Sequence, residues 1–172
     1  MGIDNGPTRL RVAPDAPTFT SMARSTPKPD TGAGSSLTGS SLTGQLLIAM
    51  PAMSDPRFAH AVIYVCAHTA DGAMGLVVNR PVVKPTFEDL LKQLNVAPSP
   101  PVRQIRLCAG GPVENARGFV LHTTDWTGDG SLMVNETTAL TASLDVLKVI
   151  AEGNGPRECV LALGYAGWGP GQ

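Results

Sequence analysis

From about residue 42 onward the chain alternates short apolar runs with clusters of Gly, Pro, Asp and Asn, which is the punctuation of strands and turns. Residues 45–50, 61–66 and 73–78 are apolar runs of strand length, each bounded by such breakers. Over residues 86–94 the period changes. Phe87, Leu90, Leu91 and Leu94 fall at i, i+3, i+4 and i+7, one face of a helix. Thr86 is placed to cap that helix, with Glu88 and Asp89 complementing the positive end of its dipole. Further strands are predicted at residues 105–108, 118–122 and 131–134. A second helix is predicted over 141–152, with Leu144, Leu147, Ile150 and Ala151 inward and Gly153 as its stop. Residues 159–163 read as a last, buried strand that runs into a glycine-rich turn at 164–171. Strands and helices in this order predict an α+β domain.

The first forty residues differ in kind. They hold five prolines, five glycines, many Ser and Thr, and a single aromatic residue, Phe19, too little apolar area to offset the entropy of ordering. Residues 1–41 are therefore expected to be a disordered tail or linker, and residues 42–172 the domain. Ser35-Ser36-Leu37-Thr38-Gly39 is repeated at once as Ser40-Ser41-Leu42-Thr43-Gly44, and the first copy reads as a linker duplication.

Charge narrows the partners. The 172 residues carry 13 basic and 14 acidic side chains. Without the first forty, nine basic and eleven acidic remain, a mildly acidic domain with no general attraction for phosphate backbones or anionic membranes. No apolar stretch approaches the ~20 residues of a membrane helix, and the N-terminus has no apolar signal-peptide region. A cytoplasmic protein is the expectation. Cys66, Cys108 and Cys159 are odd in number and widely spaced within apolar runs, so they read as free, buried thiols of a reducing compartment.

Several segments together carry a resemblance. They are residues 42–51 (LTGQLLIAMP) with Asp55, Pro56 and Phe58, residues 72–81 (GAMGLVVNRP), residues 110–113 (GGPV), residues 117–122 (RGFVLH) and residues 163–172 (LGYAGWGPGQ). Their order and spacing resemble the YqgE/AlgH family of bacterial proteins, over about residues 42–172. The resemblance implies a mixed, partly barrel-like sheet with helices packed against it. It also implies a further helix and a short terminal segment after the Gly-Gln at which this chain ends, so truncation is expected. The family is largely uncharacterised. Some members are described as transcriptional regulators connected with alginate production, which names a phenotype more than a mechanism.

The residues themselves suggest several chemistries. Direct DNA binding by a helix-turn-helix needs two adjacent helices with a basic second one. Here strands separate the helices, and each carries one lysine, Lys92 or Lys148. Arg103, Arg106 and Arg117 on neighbouring strands read as a solvated edge, so any regulation is expected to be indirect, through a ligand or protein partner. Cys66 with His68, and Cys108 with His122, are the pairs that would support thiol chemistry. His60, His68 and His122 lack metal-ligand spacing, and neither a metal nor a cofactor is expected. The remaining site candidate is built from turns at strand ends: Asn79, Arg80, Gly110, Gly111, Gly164, Gly167 and Gly169. Glycine turns expose backbone N–H groups, and Arg80 adds a fork suited to a carboxylate or phosphate. Those glycines do not follow Gly-x-Gly-x-x-Gly, so no nucleotide fold is indicated, and tight turns alone also account for them. Tyr165 and Trp168 either anchor the last loop or line a pocket. The expectation is a non-enzymatic protein, with an anion-binding enzyme or sensor as the alternative and thiol-dependent activity third.

Overall fold

The computed structural model describes residues 40–100 and 103–172. The expected tail lies outside these residues except for Ser40 and Ser41. In chain order the described elements are β1 (Leu46–Ile48), β2 (Val62–Thr69), β3 (Gly72–Val77), α1 (Phe87–Gln93), β4 (Arg106–Ala109), β5 (Val113–Thr123), β6 (Leu132–Met133), β7 (Thr138–Thr141), α2 (Asp145–Ala151) and β8 (Cys159–Trp168).

The strands join into one sheet in the order β1-β2-β3-β8-β5-β7-β6, with β4 also paired to β8. The pairings are antiparallel except that of β4 with β8, which is parallel. The sheet is therefore mixed. It curls into a half-barrel and carries two helices, the α+β architecture implied by the sequence. Strand β8 organises it. One side of β8 lies along β5, while the other meets β4 through residues 160–163 and then β3 through residues 166–168.

Alternation along the central strands divides the core. Val120 and Leu161 face the helices and pack with Phe87, Leu90, Leu91, Val146, Leu147 and Ile150. Their neighbours Phe119 and Ala162 point into the curl with Cys66, Met74, Leu76, Val134 and Leu140. A period of two feeds both cores from the same strands. Helix α1 begins as its sequence predicts. Thr86 Oγ1 accepts from the Asp89 N–H at 3.2 Å and the Asp89 carboxylate accepts from the Thr86 N–H at 2.9 Å, a complete capping box.

Strand β5 starts at Val113, five residues before the expected 118, and three further elements differ from expectation. The second helix starts at Asp145 rather than residue 141, because Thr141 pairs with Val120 as the end of β7. Strand β7 is not among the predicted strands, since Thr-Ala-Leu-Thr has no apolar run to mark it. It is fixed by a turn in which Asn135 Oδ1 accepts from the N–H groups of Thr137 and Thr138. Finally, β8 does not stop at residue 163. Its pairing continues to Trp168, so Gly164 and Gly167 are strand residues and the turn is confined to residues 169–172, closed by the Gln172 N–H donating to Gly169 O at 3.2 Å.

Candidate functional site

Three of the five candidate glycines, Gly110, Gly111 and Gly164, come together, but their open sides are filled by backbone. Gly110, Gly111 and Gly164 lie where β4 gives way to β3 alongside β8. The Gly110 N–H donates to Leu163 O at 2.7 Å, and its own carbonyl accepts from the Val77 N–H at 2.8 Å. A Cβ on Gly110 would lie 2.3 Å from Gly164 O, and one on Gly111 would lie 2.1 Å from the Tyr165 carbonyl carbon. Gly164 adopts φ 74°, and a Cβ there would lie 2.6 Å from Gly111 O. Close passage of neighbouring chain segments, more than a tight turn, is what requires glycine at these positions.

Asn79 and Arg80 sit at the end of β3 and face a different loop. Asn79 Oδ1 accepts from the Val62 N–H at 2.9 Å, while its Nδ2 donates to His60 O at 2.8 Å. The Arg80 guanidinium donates to the carbonyls of Arg57 at 2.7 Å, Ala59 at 2.8 Å and Pro56 at 3.3 Å. Both terminal nitrogens of the fork therefore hold the 56–59 loop.

A concave surface lies elsewhere, at the open end of the curl. A cleft of about 500 Å³ is bounded by the end of β2 and its turn into β3, by β6 and by the last residues of β8. Cys66, Met74, Leu132, Met133, Tyr165 and Trp168 dominate its mainly apolar wall, and Thr43, His68, Thr69 and Asp71 supply its polar groups. Of the turn-site candidates, Gly167 lines it. Gly169 lies instead on a smaller cavity of about 180 Å³ that shares His68, Thr69, Gly72, Ala73 and Trp168 with the cleft. Tyr165 does two things at once: its ring makes a T-shaped contact with Phe119, with centroids 5.6 Å apart, and it lines the cleft. Trp168 likewise packs on the small core of Ala61, Ile63 and Val77. The cleft residues come from separate strands, and their gathering depends on the curl, which no local motif announces.

The groups that suggested thiol chemistry are arranged against it. Burial pushes the Cys66 thiol up to about 12, and burial also raises the thiols of Cys108 and Cys159. His68 Nδ1 accepts from the Leu42 N–H at 2.9 Å, which leaves the ring proton on Nε2. Cys108 and His122 do not face each other, because β8 runs between β4 and β5 and the cross-strand partner of His122 is Cys159. His122 is buried with its ring nitrogens 2.9 Å from Thr123 O and 2.8 Å from Thr141 Oγ1. Thr141 in turn meets Ser131 Oγ at 2.7 Å. Arg103 and Arg106 lie on the β4 side of β8 and Arg117 lies on β5 across it, so the three do not gather into one basic face. Arg103 donates to the carbonyls of Pro156 and Arg157, and Arg117 pairs with Glu114 at 3.2 Å. Among the described residues, no group of three or more His, Cys, Asp or Glu is placed to hold a metal ion, and no helix is long and apolar enough to cross a membrane.

Comparison with known proteins agrees with this fold. The AlgH-like family model matches residues 46–172. The UPF0301 protein GOX1459 of Gluconobacter oxydans is 59% identical over 129 residues, covering 74% of this chain and 69% of that protein. The UPF0301 protein Rru_A3059 of Rhodospirillum rubrum is 56% identical over 126 residues, covering 73% of this chain and 66% of its own length. The chain thus spans about two thirds of these relatives. The solution structure of the AlgH protein from Pseudomonas aeruginosa superposes with a TM-score of 0.65 at 43% identity, over 82% of this chain and 74% of that one. Five ordered motifs, a curled mixed sheet and these matches converge: the chain belongs to the AlgH-like family of bacterial UPF0301 proteins.

Proposed function

We propose that this protein is a non-catalytic binding module, and that a small ligand in the cleft at the open end of the curl changes how the protein meets a partner. The carrying observation is the cleft itself. Its volume of about 500 Å³ lies in the usual range of roughly 300–1,000 Å³ for small-molecule sites, and its mainly apolar wall with a few polar groups is their usual composition. The thiol that faces it, Cys66, is held protonated by burial and makes a poor nucleophile. An effect on transcription, if this protein exerts one, is indirect in this reading. Arg57, Arg80, Arg103 and Arg117 spend their guanidinium groups on Asp55, on loop carbonyls and on Glu114 instead of presenting a basic face. An anion at Arg80 and the glycine junction has less support, since those glycines face backbone and the Arg80 fork holds a loop.

The test is a fragment screen by NMR that follows the methyl signals of Met74 and Met133. Fragments that shift both signals should lose that effect in Ala67→Phe, which fills the cleft from its own wall. Fragments that bind Ala67→Phe as well as the parent chain would remove the cleft from the reading.

A further inference from the structure

The walls of the cleft carry a charge asymmetry that selects among ligands. Among the described residues no lysine or arginine lines it, and its one carboxylate is Asp71, at the tip of the turn between β2 and β3. Asp71 is exposed, forms no ion pair among the described residues, and its backbone N–H is held by Thr69 Oγ1 at 3.2 Å. The turn is thus shaped while the carboxylate stays uncommitted. Tyr165 and Trp168, toward the end of β8, supply two aromatic rings to the same cleft. Aromatic faces carry negative quadrupolar charge and attract organic cations. Met74 and Met133 add polarizable, adaptable side chains that pack on ligands of irregular shape.

We propose that the cleft takes a small organic cation, an aryl- or alkylammonium whose apolar body lies on Tyr165, Trp168, Met74 and Met133 and whose charged end meets Asp71. This rests on the reading of the cleft as the binding site and assigns its ligand class. Among the described residues an anionic ligand meets no lysine or arginine there and faces repulsion from Asp71. Neutral ligands gain the apolar contacts and the polar groups of Thr43, His68 and Thr69, without the charge contact to Asp71.

Three probes of equal size separate these cases on the full chain: 3-phenylpropylammonium, 3-phenylpropanol and 3-phenylpropanoate, titrated while the Met74 and Met133 methyl signals are followed. The ammonium should bind about tenfold more tightly than the alcohol, and the carboxylate more weakly than either, from one partly screened ion pair together with a cation–aromatic contact. Asp71→Asn should cut the advantage of the ammonium to about twofold while leaving the alcohol unchanged. Equal affinities for the three probes, or an advantage that survives in Asp71→Asn, would overturn the assignment of a cation and leave the cleft as a neutral site. Unmoved methyl signals for all three up to roughly 10 mM, where even weak fragments register, would overturn the cleft and the cation together.

Discussion

Asn135 Nδ2 donates a hydrogen bond to Tyr64 Oη at 3.0 Å, and so ties β2 to the turn between β6 and β7 across the open side of the curled sheet. The two residues belong to parts of the sheet far apart in strand order. Their bond is a direct side-chain link between those two parts of the sheet. Tyr64→Phe removes the acceptor and should cost about 1 kcal/mol in urea unfolding. Asn135→Ala should cost more, because Asn135 Oδ1 also holds the N–H groups of Thr137 and Thr138. In a double-mutant cycle, additive losses would show that the Tyr64–Asn135 bond contributes nothing.

Arg80 is expected to act as a loop anchor. Arg80→Ala leaves three carbonyls, those of Pro56, Arg57 and Ala59, without their donor and should destabilise the protein by about 2–3 kcal/mol. Hydrogen exchange should accelerate first at the amides of Phe58, Ala59 and Ala61, which close the same loop. Arg80→Lys should fall between, since an ammonium lacks the planar fork.

The glycines should separate sharply by position. Gly111→Ala places a methyl 2.1 Å from backbone and should cost about 3 kcal/mol or more, or prevent folding. Gly153→Ala meets nothing within 4 Å and bears only the strain of φ 83°, about 1 kcal/mol. Thermal unfolding of the pair measures the difference between a crowded glycine and a merely left-handed one.

Acid should loosen the start of α1 before the core. Hydrogen bonds from the Thr86 backbone and side chain hold the Asp89 carboxyl below its ordinary value of 3.8. A depressed carboxyl contributes stability that is complete above the unfolded value and is lost as pH falls through the folded one. The contribution is therefore intact at neutral pH and disappears below about 3.8. Carboxyl-carbon NMR titration should place the Asp89 midpoint below that value, and Thr86→Ala should move it upward. A midpoint unmoved by Thr86→Ala would dissociate the cap from the shift.

Thiol labelling gives an independent reading of the core. With its thiol raised to about 12 and 1% exposed, Cys66 should remain unlabelled by an aromatic disulfide reagent at pH 8 in the folded protein. Cys159, which is only half-buried, should react first. Rapid labelling of Cys66 under native conditions would show that the cleft opens to its floor.

Local signals carried the elements they directly encode. The 3.6 period and Thr86 locate α1, and the apolar runs locate β2, β3 and β4. Three kinds of feature leave no such mark. Strand β7 is held by a side-chain turn at Asn135 and by pairing with β5, neither of which needs an apolar run. The glycines at 164 and 167 look like a turn in sequence although both lie within β8, and the residues that crowd Gly164, Gly111 and Val113, are distant along the chain. The site candidates divide for the same reason. The Arg80 carbonyl accepts from the Ala109 N–H beside Gly110, yet the Asn79 and Arg80 side chains turn to the 56–62 segment, whereas the cleft assembles from the curl of the sheet and takes in Gly167, Tyr165 and Trp168.

The position of β8 has a consequence for biosynthesis. Residues 159–168 supply the neighbour of β3, β4 and β5 together. As the polypeptide leaves a ribosome, those three strands emerge first and wait, apolar and without their common neighbour, until the strand that joins them has been made. Pairing of β8 with β3, β4 and β5 joins distant parts of the chain, a topology that slows folding and lengthens exposure to aggregation. Arrested chains released before residue 159 should therefore be captured by holdase chaperones more than those released after residue 168.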